Sequence, residues 1–432
     1  MIYNAKSETM PREELLQLQI ERLQSTLNRV YRNVAFYRES FDAAKIDIGR
    51  IRSVDDMKRL PFTTKEDLRK SYPYNMFAVP LRDIVRIHST AGRTGRPIAI
   101  GYTMNDIHHW SDIVARVLAG AGVTDHDFAQ IAFDYNMFTG GFGLHYGAEK
   151  LGSSVIPSSQ TGNVRQQIHI MKDYKTTVLL STPSYAFRIA RNLREMGIHP
   201  DELNLKTGLF GAEPWSEAKR ARIEEELHLR AFSIYGVNEM MGPGVSGECA
   251  HRNGLHINED HFIVEIVDPV TAEPLPRGAE GELVITTITR EGFPLIRYRT
   301  GDLSSIMDGP CPCGRTTARM ERVAARADDM VVVNGINIFP SRMGELLGGA
   351  TGLELLFRIV IDEERGEDVL TIEVEVQPAM FDADIKKLKS LEHAITTAIE
   401  HELGLVARLA FVEKLAIETG ADGRAKLVVD RR

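Results

Sequence analysis

The sequence contains few cysteines and no long apolar run, and each of these shortages excludes a class of protein. Three cysteines among 432 residues are an odd number and too few for a framework of disulfide bonds. No window approaches 18 uninterrupted apolar residues, and the first residues contain no apolar segment typical of a signal peptide. We therefore expect a cytoplasmic protein without a membrane partner.

Positive charge is not in excess either. The chain has 52 basic and 60 acidic residues, which gives a formal net charge of −8. This sign is unfavourable for nonspecific binding to DNA, RNA or an anionic bilayer, so no nucleic acid partner is expected. Hydrophobic residues at 43% and charged residues at 26% are ordinary for a globular protein, which argues against disorder and against a coiled coil.

The order of the hydrophobic patterns predicts an α/β protein with two domains. A long amphipathic helix is expected over 11–40. Helix and strand patterns alternate over 103–236 with short connections, which predicts a mainly parallel sheet flanked by helices. Short antiparallel strands follow in a small β subdomain at about 245–325. A new apolar pattern then begins, so we assign 1–327 to a large N-terminal domain and 328–432 to a small α+β domain.

A glycine-rich stretch that begins at His88, HSTAGRTGRP, has the composition of a phosphate-binding loop. Gly92 and Gly95 allow several backbone N–H groups to turn toward one anion, and Arg93 and Arg96 add positive charge. The Gly-Lys-Ser/Thr ending of a Walker A loop is missing, and an ordinary turn has a similar composition. Taken alone, this stretch leaves both interpretations open.

A second glycine cluster, at 140–147, has some similarity to a dinucleotide-binding fingerprint. Its glycine spacing is wrong by one residue, and no acidic residue ends a strand about twenty residues further on, which argues against a nicotinamide cofactor. Tyr135 and Phe138, just upstream, could form the wall of a pocket for a flat apolar ligand. Ordinary core aromatic residues would have the same local pattern.

Two predicted strand ends carry polar groups that suit a nucleotide and its metal. The motif GAEPW begins at Gly211 after one strand, and YGVNE ends at Glu239 after the next. Ligands of open parallel sheets bind at the carboxyl ends of the strands, so an aromatic ring and two carboxylates would meet there. Asp302 and Arg326 add an acid and a base that could hold a ribose, although surface ion pairs would explain them equally well.

The three cysteines give a candidate zinc site. Cys249 precedes His256, and Cys311 and Cys313 lie two residues apart on a glycine-bounded turn. Together these residues would form a tetrahedral set of three sulfur atoms and one nitrogen, which is typical of structural zinc. His251 is an alternative to His256, and free buried thiols are the alternative to a metal.

Taken in chain order, these motifs resemble the adenylate-forming superfamily of acyl-CoA synthetases, and within it the phenylacetate-CoA ligase family. The resemblance covers nearly the whole chain. Besides the glycine-rich loop, it rests on FTGGFGLHYGAEKLG from 138, GAEPW from 211, YGVNEMMGPG from 235, IRYRTGDL from 296 and ARADDMVVVNGINIFPSRM from 325. The family implies that a carboxylate attacks ATP to give acyl-AMP and pyrophosphate, and that the thiol of coenzyme A then displaces AMP.

The resemblance also implies roles for individual residues. ATP would lie against Thr90, Gly92, Thr94, Gly95, Ala212, Glu213, Pro214, Tyr235, Gly236, Asn238, Asp302 and Arg326. The acid would lie against Tyr135, Phe138, Gly140, Gly141, Gly211 and Pro243. Glu239 would hold Mg²⁺, and Asp328 would be the hinge about which a mobile C-terminal lid rotates between the two half-reactions.

The sequence departs from the family pattern at one catalytic position. The family's Gly-Lys-Ala is replaced here by Gly423, Arg424 and Ala425, so the lysine that bridges the substrate carboxylate and the phosphate is absent. In an extended chain, Lys426 would face the same side as Arg424. Both residues are therefore candidate catalytic residues, together with Glu239.

These features predict an AMP-forming aryl-CoA ligase that acts on phenylacetate or another small aromatic acid. Its cofactors would be ATP, Mg²⁺, coenzyme A and a structural Zn²⁺. One alternative is an adenylating enzyme that delivers the acyl group to a carrier protein or an amine, and another is a nucleotide-binding homologue with weak ligase activity. The long N-terminal helix and the resemblance also favour a homodimer.

Overall fold

The computed structural model describes residues 1–90, 97–159, 163–213, 215–323, 325–327, 331–338, 340–352, 355–375, 385–413, 415 and 427–432. The chain divides into two compact units, Met1–Ala325 and Arg326–Arg432. Each unit has a hydrophobic core of its own.

The first unit begins with helices that cover the N-terminal segment. These are α1 (Ala5–Glu8), α2 (Arg12–Asn33), α3 (Ala35–Ala43) and α4 (Lys65–Lys70). The single helix predicted over 11–40 is thus divided in two, because Val34 has extended backbone angles of φ −117° and ψ 109°. Leu23, Leu27 and Val30 on one face of α2 are buried, which explains the amphipathic pattern.

Strands and helices then alternate in the chain. Strands β1 (Arg86–Ser89) and β2 (Ala99–Tyr102) pair antiparallel on either side of the glycine-rich loop in sequence. The following strands are β3 (Phe128–Ile131), β4 (Ser154–Ile156), β5 (Val178–Ser181), β6 (Thr207–Phe210) and β7 (Arg230–Val237). They pair in the order β4-β3-β5-β6-β7, all parallel.

The helices of this region are α5 (Met104–Gly120), α6 (Gly140–Leu151), α7 (Val164–Asp173), α8 (Pro183–Met196) and α9 (Glu217–Leu227). Their starts follow from capping residues: Thr103 and Asp106 form a capping box at α5, and the side chains of Asn163, Thr182 and Ser216 cap α7, α8 and α9. The predicted α/β alternation over 103–236 is confirmed. No helix in the described stretches combines the length and apolar character that crossing a membrane requires.

The region of the predicted β subdomain contributes to two sheets. Strands β8 (Gly242–Glu248), β9 (Leu255–Ile257) and β13 (Arg319–Met320) continue the central sheet beyond β7 with antiparallel pairing. Strands β10 (Phe262–Val267), β11 (Gly281–Thr287) and β12 (Tyr298–Ser304) pair antiparallel in another sheet. Strand β8 stays in the central sheet because it returns directly from the end of β7, and the β subdomain at about 245–325 stays a prediction.

The N-terminal segment is joined to the region before β13. Arg315 Nε donates to Glu8 Oε2 at 2.6 Å, and both side chains are buried. Arg315 Nη2 also donates to the Met1 carbonyl oxygen at 2.6 Å, and the Thr316 backbone N–H donates to the Glu8 carbonyl oxygen at 3.0 Å. The first helix is therefore fixed by residues more than 300 positions later in the chain.

The second unit is α+β. After β14 (Ala325–Arg326) at the boundary, β15 (Val331–Val333) and β16 (Ile336–Ile338) pair antiparallel, and α10 (Pro340–Thr351) follows. Strands β17 (Phe357–Glu364), β18 (Glu367–Glu375), β19 (Ala407–Val412) and β20 (Val428–Asp430) form a sheet in the order β19-β18-β17-β20. Helix α11 (Ile385–Leu403) connects β18 to β19 and contributes Ile395 and Ile399 to the core.

Candidate active site

The turn after β6 carries the first group of candidate nucleotide-binding residues. Gly211, Ala212 and Glu213 follow the last residue of β6, and Ala212 has a φ of 69°, which non-glycine residues rarely adopt. Glu213 Oε1 accepts the backbone N–H of Ser184, in the first turn of α8, at 2.5 Å. The sharp turn is therefore fixed to the start of a helix.

A hydrogen bond joins the end of β7 to β12. The Tyr235 hydroxyl donates to Asp302 Oδ2 at 2.7 Å, and the buried Asp302 is oriented by its own N–H, which donates to Thr300 Oγ1 at 3.1 Å. The next residue, Gly236, permits a close approach of β8, since a Cβ there would lie 2.0 Å from the Gly242 carbonyl oxygen. An aromatic ring and a carboxylate are thus in direct contact at the carboxyl end of a parallel strand.

Glu239 lies on the short 3₁₀ helix Asn238–Met240, directly after β7. Its side chain is 6% exposed, and none of the described residues forms a hydrogen bond or ion pair with its carboxylate. The Glu239 carbonyl oxygen accepts from the buried Arg290 at 2.8 Å, and the Arg290 guanidinium lies 4.4 Å from the Tyr102 ring centroid. Carboxylate oxygen atoms are the ligands that Mg²⁺ prefers, so the residue fits a magnesium site.

The turn that carries Glu239 is bonded to the elements beside it. Asn238 Oδ1 accepts hydrogen bonds from the Thr139 hydroxyl and, at 3.4 Å, from the Thr139 backbone N–H, just before α6. On the other side of the turn, Trp110 Nε1 in α5 donates to the Pro243 carbonyl oxygen at 2.9 Å. The candidate metal ligand therefore lies beside the start of α6.

The candidate acid-binding residues gather around that same helix start. Tyr135 packs edge-on against Phe142 with ring centroids 5.3 Å apart, whereas Phe138 is exposed. Gly141 has no space for a side chain, because a Cβ would lie 2.6 Å from the Asp134 carbonyl oxygen. Five of the predicted acid-binding residues lie together at the start of α6 and on the neighbouring β8. They are Tyr135, Phe138, Gly140, Gly141 and Pro243. Gly211, the remaining candidate, packs against Ile234 of β7.

The sequence did not reveal a cationic and aromatic cluster beside these residues. The Arg86 guanidinium lies 5.0 and 4.8 Å from the ring centroids of Phe142 and Tyr146, and it donates to the Tyr146 hydroxyl at 2.6 Å. His88, two residues further along β1, packs edge-on against Phe142, and burial lowers its pKa to about 4. Residues two apart on a strand share a face, which is the signal that could have placed both side chains against α6.

Thr90 closes the base of the glycine-rich loop. Its N–H donates to the Ile98 carbonyl oxygen at 3.2 Å, and its hydroxyl accepts the Ile98 N–H at 3.1 Å. The Ser89 N–H donates to the Met137 carbonyl oxygen at 3.0 Å, which places the loop base beside the acid-binding residues.

Arg326 belongs to the second unit. Further residues of the predicted site lie outside the described residues: Gly92, Arg93, Thr94, Gly95, Arg96, Pro214, Asp328, Arg424 and Lys426.

The four residues of the predicted zinc set lie together at the antiparallel end of the central sheet. The ligand atoms of Cys249, His256, Cys311 and Cys313 all lie within 4.8 Å of one another. The Sγ atoms of Cys249 and Cys311 are 3.7 Å apart, and Cys313 Sγ lies 3.3 Å from His256 Nε2. Zn–S bonds of about 2.3 Å place the sulfur atoms of a tetrahedral site about 3.8 Å apart, so the spacing fits zinc. The alternative ligand, His251, is exposed.

Burial shifts the pKa of two groups in this cluster. It raises the pKa of the Cys249 thiol to about 12 and lowers the pKa of His256 to about 3, with the charge of Arg315 adding to the second shift. His256 Nδ1 lies 3.2 Å from Thr317 Oγ1, which orients the ring. A neutral imidazole can bind zinc directly, whereas the buried thiol needs a nearby cation before it ionises.

Comparisons with known proteins match both units. A family model described as AMP-binding enzyme matches residues 17–289, and the AMP-binding enzyme C-terminal domain matches residues 335–432. The chain is 41% identical to a phenylacetate-coenzyme A ligase of Aromatoleum evansii, over 98% of this chain and 96% of the relative. It is 40% identical to a phenylacetate-coenzyme A ligase of Thermus thermophilus over 100% of both chains.

A solved structure is similar over nearly the same length. It is a 2-hydroxyisobutyryl-CoA ligase in complex with 2-HIB-AMP and CoA in its thioesterification state. The TM-score is 0.87 at 28% identity, and the match covers 98% of this chain and 91% of that chain. The likeness thus extends through both units.

Proposed function

Since this chain belongs to the phenylacetate-CoA ligase family of AMP-forming acid–CoA ligases, we propose that it activates phenylacetate or a related small aromatic carboxylic acid. ATP would convert the acid to acyl-AMP with release of pyrophosphate, and coenzyme A would then take the acyl group as a thioester. The observation that carries this proposal is the Tyr235–Asp302 hydrogen bond at the end of β7, a few residues before the buried Glu239, whose carboxylate no described residue pairs.

We assign the nucleotide to the carboxyl ends of β6 and β7. Asp302, held by Tyr235, would accept hydrogen bonds from the ribose hydroxyls. The turn at Ala212 and Glu213 would flank the adenine, because it follows the neighbouring strand of the same sheet. The phosphates would lie against the loop that Thr90 closes, where backbone N–H groups and arginines can face an anion.

Glu239 would hold Mg²⁺ on these phosphates. A carboxylate and a triphosphate repel each other, so the site must present positive charge where the α-phosphate becomes more negative. The acid would lie along Tyr135 and Gly141, and the Asn238–Thr139 hydrogen bonds would keep that segment beside the metal ligand. Proximity of the two reactants is itself a large part of the catalytic effect.

We propose that the second unit acts as a mobile lid that rotates about Asp328 between the half-reactions. Closure would keep the acyl-AMP away from water. Arg424 or Lys426 would replace the family's lysine, since a guanidinium is always charged and can bind a carboxylate or phosphate through two hydrogen bonds. Pyrophosphate release by Arg424→Ala and Lys426→Ala tests this role, and two unimpaired variants would refute it. Asp328→Pro should impair thioester formation from preformed acyl-AMP more than it impairs pyrophosphate release.

We propose a structural Zn²⁺ for the set Cys249, His256, Cys311 and Cys313. Four protein ligands leave no open position on a tetrahedral metal, so the ion would stabilise the fold and would take no part in the reaction. The donor set fits because it offers three thiols and a neutral imidazole at the spacing of a tetrahedral site.

A pyrophosphate-release screen over aryl acids, with and without coenzyme A, tests the proposed function. We expect release that depends on an aromatic acid, and thioester formation that needs no partner protein. An enzyme that delivers to a carrier protein or an amine would release pyrophosphate but form no thioester with free coenzyme A. A nucleotide-binding homologue would bind ATP without acid-dependent release.

The homodimer and the cytoplasmic location stay predictions. Light scattering at micromolar concentration tests the first, and a species of 48.3 kDa would contradict it.

A further inference from the structure

We propose a second metal site, on the surface of the first unit, formed by His199, Asp201 and His228. One ligand atom of each residue lies within 4.8 Å of the other two. His228 Nδ1 lies 2.6 Å from Asp201 Oδ1, and His199 Nδ1 lies 3.3 Å from Asp201 Oδ2. Two imidazoles and one carboxylate are a donor set for Zn²⁺ and for related divalent ions such as Co²⁺ and Ni²⁺.

The backbone holds the three side chains in place. His199 precedes the short 3₁₀ helix Pro200–Glu202, and its Nδ1 lies 3.3 Å from the Asp201 backbone nitrogen, in a long hydrogen bond that a metal bound at Nδ1 would replace. The Glu202 carboxylate in turn accepts the His199 N–H at 3.0 Å. His228 ends α9 in the left-handed conformation, with φ 52°, and its ring lies edge-on to that of His199 with centroids 5.4 Å apart. The positions of the three side chains are thus set by the turn before β6 and by the end of α9.

The spacing suits a bound ion. Metal–ligand bonds of about 2.0 to 2.1 Å place the ligands of a tetrahedral site about 3.3 Å apart, which is the separation of His199 from Asp201. His228 Nδ1 and Asp201 Oδ1 are closer, at 2.6 Å, because they form a hydrogen bond, which a metal would displace. All three side chains are exposed, which gives an ion free access.

The proposed metal site lies at the amino ends of β6 and β7, whereas the candidate active site lies at the carboxyl ends of the same strands. His199 and Asp201 lie before the start of β6, and His228 lies before the start of β7. Ala212 and Tyr235, in contrast, lie at the carboxyl ends of these same two strands. A bound ion would join the α8–β6 connection to the α9–β7 connection, and it would stabilise the folded chain without contacting ATP.

The test is a calorimetric titration of the full-length, tag-free chain, in the metal state in which it is purified, with Zn²⁺ and then Co²⁺. We expect one additional ion per chain, and an affinity at least tenfold lower in His199→Gln and His228→Gln. His126→Gln is the matched control, because His126 is 92% exposed and also lies near an aspartate. This control should bind the additional ion as tightly as the unaltered chain.

Thermal unfolding of the same proteins gives a second measurement. Added Zn²⁺ should raise the Tm of the unaltered chain and of the control, and it should leave the two cluster variants unchanged. The proposal is overturned if the cluster variants bind the additional ion as tightly as the unaltered chain. It is equally overturned if no additional ion binds, or if the control loses as much affinity as the cluster variants. Because these measurements need no substrate, their outcome is independent of the proposed ligase activity.

Discussion

Two regions of the central sheet differ in how their polar groups are paired. One is the carboxyl ends of β6 and β7, and the other is the cysteine cluster beyond β8, which consists of Cys249, His256, Cys311 and Cys313. At the strand ends, hydrogen bonds such as Tyr235 to Asp302 position the site, and the Glu239 carboxylate has no partner among the described residues. In the cysteine cluster, the thiols and the imidazole face one another and are largely buried. Parallel strand ends thus present groups to a diffusing substrate, whereas the antiparallel extension encloses its own donors.

The strongest way to separate the two regions is Glu239→Gln. The amide keeps the shape of the side chain but removes the charge that would hold Mg²⁺. We expect acid-dependent pyrophosphate release to fall by about 10³-fold or more, which corresponds to a loss of about 4 kcal/mol of transition-state stabilisation. Tm and zinc content should not change. Glu225→Gln, at an exposed position of α9, is the control, and activity within tenfold of it would contradict the assigned role.

The reverse experiment removes the cysteine cluster and leaves the strand ends intact. Cys311→Ser combined with Cys313→Ser should abolish zinc binding, as measured by elemental analysis. A metal present at about 1,000 times its Kd contributes about 4 kcal/mol, so the free energy of unfolding in urea should fall by about that amount. Activity per folded molecule should persist at low temperature. Purified protein that lacks zinc and whose stability a chelator does not change would favour the free thiols instead.

A smaller effect is expected from Tyr235→Phe. The change removes the hydroxyl that donates to Asp302 but keeps the ring. Hydrogen bonds to charged groups contribute about 1.5 to 3 kcal/mol, so kcat/KM for ATP should fall roughly 10- to 100-fold. Tyr174→Phe, on an exposed ring, is the matched control. An unchanged kcat/KM for ATP would show that the pair does not position the ribose.

A further expected effect concerns pH, and it belongs to neither region. Burial lowers the pKa of His261, beside β10, to about 3, although the charge of Asp260 opposes this shift. An unfolded histidine has a pKa of about 6.5, so the stability from the neutral ring is complete above about pH 6.5 and is lost progressively toward pH 3. The free energy of unfolding should therefore fall between pH 6.5 and 4. His261→Gln should flatten this dependence, whereas the exposed His169→Gln should not.

Much of the fold could be predicted because local signals agree with one another. The segment around β5 has buried apolar residues in a row, and Thr182 and Pro183 then mark the start of α8. Cysteines were informative for a different reason, since they have few structural roles and their spacing limits which can meet. The sequence therefore indicated both the alternation of elements and the residues of the cysteine cluster.

Other features are not local and could not be predicted in this way. The membership of β8 in the central sheet depends on its pairing with β7, which hydrophobic periodicity does not specify. Arginines usually lie at the surface, so no local pattern predicted that Arg290 and Arg86 pack against aromatic rings. The break at Val34 was also hidden, because the apolar spacing continues across it.

The Glu8–Arg315 ion pair sets the order in which the chain can complete its fold during synthesis. Its partners are 307 residues apart, so at about 5 to 20 residues per second the ribosome adds Arg315 roughly 15 to 60 s after Glu8. Until then, a carboxylate that will be buried has no cation beside it, and the hydrogen bond from Arg315 to the Met1 carbonyl oxygen cannot form. The segment around Glu8 therefore reaches its final set of contacts only after the residues before β13 have been made.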